Sequence, residues 1–318
     1  MKLDDLVLGI DGGGTKTVAW LGKIEGSGTD PIGRGAAGPS NPGVVGMSQA
    51  ITTLGQAIDA AFDEAGLAPG LIPAACLAIS GTERTAHREA MLQWAADRSL
   101  ASSVRLVGDA EAVLAGGTRD GWGVALIAGT GSFAFGRDLA GLTARVGGWG
   151  YLFGDEGSGH ALGAAGLRAA TQQADGRGPA TTLLPRILSK FELTEPRELV
   201  TALYDQQPAR PTALADLAPL VTAAAEEGDE VALQIAGDAG AELARLVTAT
   251  CSQLNLSSRT YPLAIAGGVL CNSPLMRKFL EASLTEQDCL AGEITLVEHP
   301  VQGAVELARC AVLRIRSK

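Results

Sequence analysis

Short apolar runs of strand length alternate with amphipathic stretches along this chain, and the alternation starts over once. LVLGI (6–10) and TKTVAWL (15–21) flank a glycine turn, and the β-branched, alternating character of the second run predicts a strand there. Ile51, Leu54, Ile58 and Phe62 then recur at helical spacing within about 44–66. The apolar run AACLAIS (74–80), a helical stretch over about 83–98 and the run SVRLVGDA (103–110) complete the first half. The second half opens in the same way. WGVALIAGTGSFAFGR (122–137) reads as two strands about a glycine turn. A longer helical region, the strand YPLAIAGGV (261–269), a helix over about 274–283 and the strand EITLVE (293–298) follow.

Alternating helical and strand patterns predict an α/β architecture, here one β-β-β-α-β-α-β-α unit used twice. The duplication predicts two lobes, 1–117 and 118–318, facing a central cleft with both glycine hairpins turned into it. The amphipathic stretch 303–316 ends in basic residues, as a helix C-terminus prefers, and is expected to pack back on the first lobe.

The glycine turns carry the first chemistry. Dinucleotide-binding and Walker loops lead from a strand into a helix, whereas DGGGT (11–15) leads into a second strand, and GxxxxGK[ST] occurs nowhere. Glycine reaches positive φ without penalty, so such a hairpin can aim several N–H groups at phosphate oxygens. A tight hairpin without a ligand is the alternative, and the repeat of the device at Gly129-Thr130-Gly131-Ser132 weakens it. Lys16 and Thr17 read as the solvated face of the second strand.

Composition narrows the partners. Lys plus Arg number 25 against 35 Asp plus Glu, a net charge of −10 that disfavours nucleic acid and anionic membranes. No apolar run approaches the ~18 residues of a membrane span. The start MKLDDLVLGID is acidic where a secretory signal is basic, and the five cysteines are scattered without a CxxC pair. The expectation is a cytoplasmic protein whose cysteines are small buried hydrophobes.

DGGGT, GDAEA, AGTGS, GGWGYLFGDEGSG and AGGV, in that order, resemble the sugar-kinase/actin/Hsp70 superfamily, and within it the N-acetylglucosamine kinases and BadF-type ATPases. The likeness runs from Ile10 to GAVELA near residue 306. It implies two ribonuclease-H-like, actin-like ATPase lobes, the cofactors ATP and Mg²⁺, and an amino-sugar acceptor. Gly12, Gly13, Gly14 and Thr15 would touch the β- and γ-phosphates, and Asp11 would hold Mg²⁺ through water. Gly129, Thr130, Gly131 and Ser132 would grip the phosphates from the second lobe. Asp109 matches the family's general base; a helix N-cap is its structural alternative, and the two are compatible. Glu111, two residues on, is the weaker candidate. Asn41, Ser80, Gly81, Gly148, Trp149, Gly150 and Asp155 match sugar-contacting positions, although a lone tryptophan such as Trp149 reads as core. Gly267, Gly268, Asn272, Leu275 and Ala225 match the adenosine site, with a plain strand-to-helix turn as the alternative for the two glycines. His160 reads as a polar helix residue.

Rival readings fit less well. Activases of acyl-CoA reductases and dehydratases hold an iron–sulfur cluster through mid-chain cysteines, and there is none between Cys76 and Cys251. A sugar-sensing repressor needs a DNA-binding segment before the first strand. A filament ATPase has no use for the Asn41 and Asp155 loops. The expected reaction is transfer to O6 of N-acetylglucosamine. Glucosamine remains open as the acceptor, and an activase-type ATPase acting on a protein is the alternative of another class. N-Acetylmuramic acid would need a basic partner for its lactyl carboxylate, which the sequence does not place. A homodimer rests on the resemblance alone.

Overall fold

The computed structural model describes residues 2–25, 30–82, 84–204, 211–257, 259–289 and 291–316. It contains two compact units, Met1–Gly121 with His299–Lys318, and Trp122–Glu298.

In the first unit, β1 (Leu6–Gly12), β2 (Thr17–Lys23), β3 (Gly33–Ala37), β4 (Ile72–Ile79) and β5 (Ala101–Val107) form one mixed sheet in the order β3-β2-β1-β4-β5. The first three strands are antiparallel neighbours, and β4 and β5 run parallel to β1. In the second unit, β6 (Gly123–Ala128), β7 (Ser132–Arg137), β8 (Thr143–Gly147), β9 (Tyr261–Ala266) and β10 (Ala291–Leu296) repeat that order as β10-β9-β6-β7-β8, with the same pattern of directions. The duplicated α/β fold expected from the strand pattern is therefore present.

The buried faces follow from the period of two along each strand. Leu6, Leu8 and Ile10 pack with Leu54, Ile58 and Phe62 of the helix Met47–Glu64 on one face of the first sheet. Val7, Ala74, Cys76 and Ala78 point to the other face, where the chain's last helix, Val301–Arg316, supplies Ala304, Val305 and Ala308. That helix lies close to β1 because Gly9 has no side chain. A Cβ there would sit 2.4 Å from the Val305 nitrogen.

Several local expectations shift. The stretch read as one helix over 44–66 is a short turn, Pro42–Val45, and a longer helix, Met47–Glu64, broken at Gly46 with φ +79°. Thr17 is fully buried, not on a solvated face, because its hydroxyl hydrogen-bonds Gly38 O and Ser40 Oγ, both at 2.8 Å. Only Cys76 and Cys251 are buried; Cys310 is exposed, and Cys271 and Cys289 lie between. Among the described residues no helix is long and apolar enough to cross a membrane.

Candidate active site

In the first unit, β1 ends at Gly12, and Gly13 to Lys16 make the turn, closed by Gly13 N–H donating to Lys16 O at 3.0 Å. Two loops are tied to that turn by backbone hydrogen bonds. Ser40 and Asn41 N–H both donate to Gly13 O (3.0 and 3.1 Å), and Ser80 N–H donates to Gly12 O (2.9 Å). The loops also meet each other, since Asn41 Nδ2 donates to Ser80 Oγ at 3.1 Å. Asn41 Oδ1 meanwhile accepts from Gly43 N–H at 2.8 Å and caps the helical turn that follows. Three separate segments, carrying Asp11–Thr15, Asn41 and Ser80–Gly81, are thus gathered at one end of the sheet. Ser40, which the sequence reading passed over, is wholly buried as the post linking β2 to this turn.

Asp109 enters from the neighbouring strand. It follows β5 by two residues and is the first residue of the helix Asp109–Gly117. The cap position belongs to Gly108, and no side chain caps this helix, so the N-cap reading of Asp109 is not the one the fold uses. Its Oδ1 instead accepts from Ala110 N–H at 2.9 Å, and a carboxylate in a helix's first turn is favoured by the dipole. Glu111 faces Arg105 across 3.2 Å, which engages that carboxylate in an ion pair.

Asp11 and Asp109 feel one another. The Asp11 carboxyl is pushed up to about 7, first by burial and then by the Asp109 charge, with Lys16 opposing. Two carboxylates that resist simultaneous ionisation suit a divalent cation. Mg²⁺ commonly uses one or two carboxylates and keeps several waters, with substrate phosphates completing the shell. Among the described residues no group of three or more His, Cys, Asp or Glu side chains forms a metal cage. One or two carboxylates are the protein share of the shell that Mg²⁺ commonly takes, so Asp11 and Asp109 fit that ion.

In the second unit the turn Gly129–Gly131 joins β6 to β7. The helix Gly159–Ala174 starts against it, with Gly159 N–H donating to Gly129 O at 2.7 Å and His160 N–H to Thr130 O at 3.2 Å. Gly148 N–H donates to Ser132 O at 3.0 Å, which anchors the loop after β8. Asp155 closes the arrangement. It is held in the left-handed region at φ +60°, a strained conformation for a residue with a side chain. Its Oδ1 accepts from Ser132 N–H at 3.2 Å, and its carboxylate lies so close to Gly131 that a Cβ there would meet it at 2.8 Å. The Ser132 hydroxyl donates to Glu156 O at 2.6 Å. A carboxylate therefore rests on the very turn whose amides were expected to receive phosphate. Burial raises the Asp155 carboxyl, with the Ser132 N–H as the main opposing influence; burial also lowers the His160 imidazole.

Trp149 is 71% exposed and Phe153 73%, so the core reading of Trp149 fails. The loop presents its rings outward because glycines at 147, 148 and 150, all at positive φ, turn the chain before a strand or helix can bury them. Beside it, the Arg145 guanidinium stacks 4.1 Å above the Phe133 ring and fills the space that a Cβ on Gly148 would enter, 2.7 Å from where that atom would sit. Sequence pattern gave no sign of that cation, because Arg145 sits on an edge strand where a basic residue is ordinary.

For the residues matched to adenosine, Gly267 (φ +95°) turns β9 into the short helix Gly268–Asn272, which is the strand-to-helix turn foreseen for it. Ala225 is buried in the helix Ala218–Glu226, and Asn272 is exposed. Ser273 Oγ donates to Glu226 Oε1 at 3.0 Å and so brings these two segments together.

Residues 8–308 match the profile of the BadF/BadG/BcrA/BcrD ATPase family. The chain is 30% identical over 307 residues to an N-acetylmuramic acid/N-acetylglucosamine kinase of Clostridium acetobutylicum, covering 95% of this chain and 98% of the relative. It is also 30% identical over 318 residues to an N-acetyl-D-glucosamine kinase of Dictyostelium discoideum, covering 96% and 98%. Among solved structures, a provisionally named N-acetylglucosamine kinase from Chromobacterium violaceum superposes with a TM-score of 0.75 at 27% identity, over 96% of this chain and 99% of that one.

Proposed function

The chain belongs to the BadF/BadG/BcrA/BcrD ATPase family, and from that premise we propose that it is an ATP- and Mg²⁺-dependent amino-sugar kinase that phosphorylates O6 of N-acetyl-D-glucosamine. The observation that carries this reading is the full-length similarity to two amino-sugar kinases that share N-acetylglucosamine in their names. The geometry around Asp109 supports it.

A sugar hydroxyl is a poor nucleophile, and a carboxylate within hydrogen-bond reach can take its proton as the phosphoryl group moves. Asp109 fills that role, since Glu111 is held by Arg105. Asn41, Ser80 and Gly81 orient the acceptor in the first unit. Gly148, Trp149, Gly150 and Asp155 do so in the second. The amides of Gly12, Gly13 and Gly14 and the Thr15 hydroxyl receive phosphate oxygens, as do Gly129, Thr130, Gly131 and Ser132. For Ser132 this requires Asp155 to leave the turn, and an incoming sugar hydroxyl gives that carboxylate a new donor. Gly267, Gly268, Asn272 and Ala225 frame the adenosine. Asp11 would hold Mg²⁺ through water, and the ion would supply positive charge against the phosphates.

Arg145 favours a second acceptor. A carboxylate-bearing amino sugar such as N-acetylmuramic acid needs a cation beside the acetamido pocket, and Arg145 next to Gly148 supplies one. Glucosamine is the remaining alternative, named for a 26% identical relative from Vibrio cholerae matched over 238 residues.

The deciding experiment is ADP release from Mg·ATP with N-acetylglucosamine, N-acetylmuramic acid, glucosamine, glucose or no sugar, followed by NMR of the product. Strong stimulation by N-acetylglucosamine with phosphate on O6 is the expected result. ADP release that is equal with and without sugar would overturn the kinase reading in favour of an activase-type ATPase. Arg145→Gln should lower kcat/KM for N-acetylmuramic acid by about tenfold or more while leaving N-acetylglucosamine within about threefold, the loss expected for one charge-assisted contact.

A further inference from the structure

Three groups outside the proposed active site meet at the far end of the second unit. Cys251 lies near the end of the helix Glu230–Gln253 and is 1% exposed. Cys289 precedes β10 and is partly exposed. Tyr261 begins β9 and is buried. The Tyr261 hydroxyl lies 2.7 Å from Cys289 Sγ, and Cys251 hydrogen-bonds both Cys289 and the Tyr261 hydroxyl. Thr248, one turn before Cys251 and hydrogen-bonded to Gln287 Oε1 at 2.9 Å, also reaches the Cys289 sulfur. Two thiols 38 positions apart in sequence (289 − 251) are thus in mutual hydrogen-bonding contact, one open to solvent and one behind it.

The geometry points to a thiol–disulfide exchange site, with Cys289 as the attacking thiol, Cys251 as the resolving thiol and a small disulfide such as glutathione disulfide as the oxidant. Cys289 attacks one sulfur of glutathione disulfide, forming a mixed disulfide and releasing one glutathione. Cys251 then attacks Cys289 Sγ, forming the Cys251–Cys289 bond and expelling the second glutathione. Two protein thiols lose two electrons and two protons, and one glutathione disulfide becomes two glutathione thiols.

The surroundings divide these roles. The hydrogen bond from Cys251, with further ones from Tyr261 and Thr248, draws the Cys289 thiol down to about 6 against the effect of burial. The Cys251 and Tyr261 groups are both raised. The thiolate is the form that attacks, and thiols of lowered pKa in partly open sites are the reactive ones. Cys76 offers a contrast, buried in the first unit and pushed up to about 12 by that burial. The bond would tie the last turns of a core helix to the segment entering β10 and so restrain the edge of the second sheet.

The test is incubation of the full chain with glutathione disulfide, followed by intact mass and peptide mapping. Wild type should lose two hydrogens in mass and yield one joined peptide pair containing Cys251 and Cys289, reversed by dithiothreitol. Cys251→Ser and Cys251→Ala should instead keep one glutathionyl group on Cys289, because the resolving thiol is gone. Cys289→Ser should form neither product. Thermal melts of the reduced variants establish that each is folded. Glutathione confined to the exposed Cys310, a stable Cys289 adduct in wild type without the internal bond, or a joined pair that survives Cys289→Ser would each overturn the proposal.

Discussion

Asp109 and Glu111 are two residues apart on one short helix, and their neighbours give them different chemistry. Arg105 takes Glu111 into an ion pair, while Asp109 shares its field with Asp11. Asp109→Asn keeps the shape and removes the proton acceptor. It should lower kcat by about 10²- to 10⁴-fold with little change in KM, measured by sugar-dependent ADP release. Asp11→Asn should act elsewhere, raising the Mg²⁺ concentration needed for half-maximal rate by about tenfold or more, as loss of a metal-orienting group does; an unchanged Mg²⁺ requirement would remove Asp11 from the metal site. At this scale the candidate groups could be named from the sequence, because family-ordered motifs put residue types at fixed places. The Asp155–Ser132 contact, the buried Ser40–Thr17 pair and the position of Arg145 were not, because each joins segments apart in sequence through side-chain geometry.

Among the elements, the long helix Glu230–Gln253 shows how one side chain starts a helix and links it to its neighbours. Asp229 caps it by accepting from Ala232 N–H at 2.9 Å, and also accepts from the Thr181 and Thr182 hydroxyls and the Thr182 N–H. Burial alone would raise this carboxyl, but those donors outweigh it and hold it below the ordinary range. A lowered folded-state value means stability that is fully present above the unfolded value, about 4, and lost as pH falls through the folded one. Asp229→Ala should therefore cost about 1–2 kcal/mol at neutral pH. The gap from wild type should close as the pH drops below about 4, which denaturant melts at several pH values can check. Most strands were readable here from periodicity, whereas the helices between β8 and β9, Glu230–Gln253 among them, were anticipated only as one longer helical region. The break at Gly46 and the cap at Gly108 were not, since a cap is decided by local φ and ψ that apolar spacing does not record.

Across the whole chain, the last element completes the first unit. Val301, Val305, Leu307 and Val312 are all buried there against the β1–β4 face. At roughly 1.5–3 kcal/mol for each large apolar side chain buried, those four contribute about 6–12 kcal/mol. That is comparable with the entire stability of an ordinary domain. Ending the chain before Val301 should leave the first unit unfolded, seen as lost helical signal in circular dichroism and proteolytic cleavage within residues 2–121. A truncated chain with an intact first unit would show that the helix is dispensable.

Apolar periodicity, two glycine hairpins and an ordered set of short motifs by themselves determined the duplicated α/β plan and singled out the turns and the aspartate to which phosphate binding and proton transfer are assigned as a proposal. These are properties of local spacing, and spacing is what a sequence carries. Tertiary structure alone decided which carboxylate is engaged and which shares its field with another, that Asp155 rests on the second glycine turn, that Trp149 faces solvent, and that Cys251 meets Cys289. The Asp11–Asp109, Asp155–Ser132 and Cys251–Cys289 approaches join segments tens of residues apart, where packing rather than local preference sets the contact. The Arg105–Glu111 pair and the outward Trp149 follow from side-chain and glycine geometry that apolar spacing does not record.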